Sequence, residues 1–215
     1  MKPGLDAFYQ FLAQPLRPWS RLLLGLLIVP LALTFTQPLW RISMIAPQYP
    51  TGLSLDIYTH KVEGGRQGAD VNEINTLNHY IGMAHIDRAA LSDLDWLPFA
   101  FGALIILTLR AAAIGNVSSL VDLTVIGVYF SLFSLGRFGY RLWVMGHNLD
   151  PRAPVTLPGF MPPVFGTKQI ANFTVTSLPR LATGFATLFI VGLVVLLAWH
   201  LVVGRREAMR RVAAV

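Results

Sequence analysis

Four apolar runs, each nearly free of charge, constrain this chain more than any other feature. They extend from Leu22 to about Leu39, from Trp96 to Ile114, from about Ser118 to Trp143, and from Leu181 to Val203. A helix needs about 20 predominantly apolar residues to cross a hydrocarbon core of ~30 Å, because its own backbone must satisfy every N–H and C=O there. Only 13% of the residues are charged, against about a quarter in a soluble domain, and the charges gather between the runs. The expectation is an all-α membrane protein with four transmembrane helices and two long outer loops.

The segments follow from that reading. Residues 1–21 form an N-terminal amphipathic stretch with Leu5, Phe8, Tyr9 and Leu12 at helical spacing. Residues 22–39, 96–114, 118–143 and 181–203 are the expected spans, and Pro30 interrupts the first. Residues 40–95 and the Pro-rich 144–180 are the loops, and 204–215 form a basic tail. No small-residue cleavage site follows the first run, so it reads as an anchor rather than a signal peptide. The five tryptophans, Trp19, Trp40, Trp96, Trp143 and Trp199, fall at or near the ends of the runs. An indole with an apolar body and one N–H donor prefers the headgroup level.

The net charge of +6 does not point to nucleic acid, because the basic residues form no stripe with interleaved aromatics. They flank the apolar runs. Lys2, Arg17, Arg21, Arg110, Arg205, Arg206, Arg210 and Arg211 crowd short segments, whereas Arg41, Lys61, Arg66, Arg88, Arg137, Arg141, Arg152, Lys168 and Arg180 are spread through much longer ones. Positive residues concentrate on the cytoplasmic side. Both termini are therefore expected in the cytoplasm and both loops in the periplasm of a bacterial inner membrane.

Within the first loop, Leu53, Leu55 and Ile57 alternate with polar residues and precede Gly64-Gly65, which predicts a short strand and hairpin. Asp70-Val-Asn-Glu73 reads as a capping box opening a short helix with Ile74, Leu77 and Ile81 on one face. His79 and Met83 are one helical turn apart; His147 ends the third run. Imidazole and thioether together suit a soft ion such as Cu(I), and with no cysteine in the chain they are the soft ligands left. His79, Met83 and His147 are thus candidate copper ligands. The competing reading has Asn78, His79, Asn148 and Asp150 pin the loops together by hydrogen bonds. Arg137 and Arg141 are expected to snorkel to the interface or to pair with Asp150, and Asp122 to pair with Arg110. Asp93 and Asp95 read as a helix start. His200 alone lies within a run, so no haem is expected, and no nucleophile–base arrangement, phosphate loop or zinc-protease spacing points to an enzyme.

The strings Ala46-Pro-Gln-Tyr-Pro-Thr-Gly-Leu53, Asn78-His-Tyr-Ile-Gly-Met83, Gly146-His-Asn-Leu-Asp-Pro151 and Pro162-Pro-Val-Phe-Gly-Thr-Lys168 resemble an uncharacterised bacterial membrane-protein family. That family is associated with the copper chaperone NosL and with nitrous oxide reductase maturation. The resemblance covers about Trp40 to Pro179. It implies periplasmic copper handling, or help in assembling a copper enzyme, with a copper chaperone or a membrane enzyme complex as partner. His79, Met83 and His147 fall within its motifs. Met44, His85, Met145 and Met161 are not matched to its pattern. The alternative function is a structural accessory subunit of a larger respiratory or copper-oxidase complex, with no metal of its own.

Overall fold

The computed structural model describes residues 9–87 and 91–213, with side chains as far as Gly204. Residues 1–8 of the expected amphipathic stretch and the side chains of the basic tail lie outside the described residues. The elements are helix α1 (Pro18–Leu33), strands β1 (Trp40–Ala46), β2 (Tyr49–Ile57) and β3 (Val62–Gly64), helices α2 (Ala69–Tyr80), α3 (Asp93–Ile114) and α4 (Val117–His147), strands β4 (Gly166–Ile170) and β5 (Phe173–Pro179), and helix α5 (Leu181–Ala213). They divide into two compact units. One comprises residues 1–32, 101–131 and 185–215; the other comprises residues 33–100 and 132–184.

The all-α expectation is wrong. The second unit is built on a five-stranded antiparallel sheet of order β3-β2-β1-β5-β4. The missing strands were readable in principle. Phe173, Val175 and Ser177 are buried while Thr174 and Thr176 are not, which is the period of two that one covered face demands. The prolines at 151–163 made the whole connection look irregular and hid that alternation.

The four-span expectation is also corrected. Among the described residues, three helices are long and apolar enough to cross a membrane: α3, α4 and α5 as far as Gly204. Helix α1 has 16 residues, about 24 Å at 1.5 Å per residue, short of a ~30 Å core. The apolar run continues to Leu39, but the helix stops at Leu33, whose carbonyl accepts from the Thr36 hydroxyl at 2.9 Å; Pro38 follows. With three such helices the chain is a multi-pass membrane protein.

In the first unit, the turn between α3 and α4 is fixed from both sides. Gly115 takes φ +67° past the end of α3, and Asn116 caps α4 by accepting the Ser119 amide at 2.9 Å. The Arg21 guanidinium donates to the Ala112 and Ala113 carbonyls at 2.9 and 2.8 Å, covering acceptors that a helix end leaves open. His200 is buried, and its Nε2 lies 3.0 Å from the Ser20 hydroxyl. Asp122 and Arg110 are both exposed and form no ion pair among the described residues.

In the second unit, one face of the sheet is covered by α2 and the 157–160 segment. Met44, Ala46, Leu53, Leu55, Ile74, Leu77, Ile81, Phe173 and Val175 form its core. The opposite face is polar. Thr167, Thr176, Ser43 and Ser54 are successive cross-strand partners on β4, β5, β1 and β2, and the Thr167 and Thr176 hydroxyls lie 2.9 Å apart. Arg41 and Asp56 pair across β1 and β2 on the same face, with Nε to Oδ1 at 2.6 Å.

Candidate functional site

The loop after α2 and the loop after α4 meet through their backbones. At the end of α2, the Met83 amide donates to the Asn78 carbonyl at 2.9 Å, and Gly82 takes φ +76°, a conformation that costs a residue with a Cβ about 1–2 kcal/mol. That reversal aims the Gly82 carbonyl at the second loop, where it accepts the Asp150 amide at 2.8 Å. Further along, the Val155 amide donates to Tyr80 at 3.0 Å and the Phe160 amide to Gly146 at 2.9 Å. The Asp150 carboxylate accepts the Arg152 amide at 2.9 Å, closing a turn of the kind Asp favours.

Between the two loops lies an open cleft of about 490 Å³. His79, Met83 and His85 line it from the first loop, and Asn148 and Asp150 from the second. His79 and Met83 thus share a cavity, and His85, which is not matched to the family pattern, shares it too. His147 does not line this cleft. Its ring stacks on Trp143, with centroids 4.5 Å apart and planes at 19°, and its Nδ1 lies 2.8 Å from the Trp143 carbonyl. Its Cδ2 faces Gly159, where an added Cβ would come within 3.0 Å. Position 147 on the last turn of α4 points the ring back along the helix, as χ1 preferences require, and away from the other two residues. Among the described residues, no group of three or more His, Asp or Glu side chains is placed to hold a metal ion.

The helix start at Asp70 differs from the expected capping box. Gly68 is the N-cap and Asp70 lies inside the first turn of α2. Its buried carboxylate instead accepts the Ser54 amide at 2.8 Å and the Arg66 Nε, tying α2 to the edge of β2. The role of Arg137 and Arg141 also differs. Neither pairs with Asp150. Arg137 donates through Nε and Nη2 to Asp93 Oδ1 at 3.1 and 2.8 Å, and Arg141 donates through Nε to Asp93 Oδ2 at 3.0 Å and through Nη2 to the Ser92 hydroxyl. The same Oδ1 accepts the Trp96 indole N–H at 2.9 Å. The signal available in the sequence was the first-turn acid Asp93 on one helix and the i, i+4 arginines on the next.

No known protein family, curated protein or solved structure matches the chain.

Proposed function

We propose that this protein is a non-enzymatic accessory subunit of a larger membrane complex, which holds a folded sheet module against a partner. The observation that carries this reading is the uncovered polar sheet face. The row Thr167–Thr176–Ser43–Ser54 crosses four strands, with Ile45 and Leu178 exposed beside it at 52% and 43%. A face mixing hydroxyl groups with a few apolar side chains suits a protein surface better than a small molecule. The basic segments at Arg17, Arg21 and Arg110 favour an orientation with that end cytoplasmic and the sheet module outside, in a bacterium the periplasm. Purification in a gentle detergent followed by mass spectrometry tests the reading. A stoichiometric partner is expected, lost on Thr176→Arg without a change in thermal midpoint. A chain that purifies alone under every such condition overturns it.

A second reading is favoured by the cleft. His79, Met83 and His85 offer two imidazoles and a thioether in one open cavity, a donor set suited to transient Cu(I) binding. The function would then be to bind or relay copper for a copper enzyme. Loading with Cu(I) and metal analysis tests it: His79→Ala with Met83→Leu must abolish any bound copper.

A further inference from the structure

We propose that Arg137 and Arg141 form a binding site for the phosphate of an anionic phospholipid. Two guanidinium groups converge on one carboxylate here, so the cluster carries more positive than negative charge. Each guanidinium has five N–H donors. Each commits two, to Asp93 and Ser92, and the remainder of both forks has no protein acceptor among the described residues. Asp93 cannot take them up: its oxygens already accept both arginines and the Trp96 indole. The two arginine side chains remain 33% and 28% exposed, so a ligand can reach them. A phosphate presents the several acceptor oxygens that paired guanidinium forks match best.

The surroundings identify the source of that phosphate. Leu132, Phe133 and Leu135, which precede the arginines on α4, are 65%, 48% and 51% exposed, as side chains in contact with acyl chains would be. Tyr140 and Trp143, interleaved with and just beyond the arginines, are 55% and 46% exposed and stacked with centroids 6.3 Å apart. Exposed aliphatic residues, then arginine, then exposed Tyr and Trp is the order met on passing from hydrocarbon to headgroups. A lipid seated there lays its tails on the apolar band and its phosphate in the two forks. Asp93 orients the forks for it.

The test uses the full chain in detergent, with native mass spectrometry and thermal unfolding on addition of phosphatidylglycerol, phosphatidylcholine or inorganic phosphate. Phosphatidylglycerol is expected to remain bound and to raise the unfolding midpoint more than phosphatidylcholine does, with inorganic phosphate giving no shift. Arg137→Gln with Arg141→Gln is expected to lower retention of phosphatidylglycerol by about tenfold, the equivalent of one lost charge-assisted contact. Equal retention by the double variant overturns the site. If that variant does not fold, wild-type protein decides: phosphatidylglycerol no better than phosphatidylcholine, or inorganic phosphate as effective as the lipid, overturns it as well.

Discussion

The amide of Asp150 donates to the carbonyl of Gly82 at 2.8 Å, and a Cβ built on Gly82 would meet the Asp150 carbonyl oxygen at 2.8 Å and its nitrogen at 2.9 Å. The two loops therefore touch where only glycine fits, and φ +76° at Gly82 adds a second reason. Gly82→Ala is expected to destabilise by at least about 2 kcal/mol, combining left-handed strain with overpacking. Thermal unfolding of the purified variant checks this; an unchanged midpoint would show that the loops part without cost.

Asp70 is 3% exposed and satisfies the Ser54 amide. Replacing it by Ala strands that N–H beside the sheet. The expected cost is about 2 kcal/mol, within the range for a lost hydrogen bond to a charged group. Asp70→Asn keeps an acceptor and is expected to lose less. Chemical denaturation of the two variants side by side measures the difference, and equal losses would argue against the Ser54 contact.

His147 separates packing from ligation. The Trp143 stack predicts that His147→Ala costs about 1 kcal/mol in stability and leaves any Cu(I) stoichiometry unchanged. Metal analysis on this single variant is decisive, since copper lost with it would mean that the ring swings away from Trp143 to reach the metal.

The Lys61 ammonium donates to Glu63, and that hydrogen bond holds the Glu63 carboxyl below the usual glutamate range while raising Lys61 above its own. A depressed carboxylate contributes stability above its unfolded pKa and loses it as pH falls through the folded value; a raised lysine contributes below its unfolded pKa and loses it as pH rises through the folded one. The pair is exposed, so its effect on global stability is small and sensitive to salt. NMR titration of the Glu63 side chain is the direct measurement. It should return to the ordinary glutamate range in Lys61→Gln.

The sequence disclosed the membrane character because charge depletion over long runs has one dominant physical cause. It disclosed β2, because Leu53, Leu55 and Ile57 alternate, but misplaced the hairpin: the turn lies at residues 58–61, where the Tyr58 amide donates to the Lys61 carbonyl at 2.8 Å, and Gly64 is the last residue of β3. It hid β1 because Trp40–Ala46 directly follows the apolar run ending at Leu39 and reads as the start of a loop. A strand and a loop start cannot be told apart there by hydrophobicity alone. It also hid the break at Leu33, which depends on a Thr36 hydroxyl and on pairing of the following residues rather than on composition. At the cleft, His79 and Met83 line one cavity, but α2 ends at Tyr80 and it is the reversal at Gly82, rather than a shared helical turn, that places Met83 there. The placing of His147 against Trp143 was local, one helical turn, but that four-residue spacing was outweighed by the attraction of a longer-range ligand set.

The strand order has a consequence for biosynthesis. Trp40 on β1 and Ser177 on β5, whose side chains are joined at 2.7 Å, lie 137 positions apart. At ~5–20 residues per second, β1 waits about 7–30 s for its second neighbour. During that interval β1, β2 and β3 form an incomplete sheet, and the edge that becomes its centre is open. Helices α3 and α4 must be inserted before β5 emerges to close it. The vulnerable moment in making this protein is therefore that interval, and a factor that shields a bare strand edge during it would raise its yield.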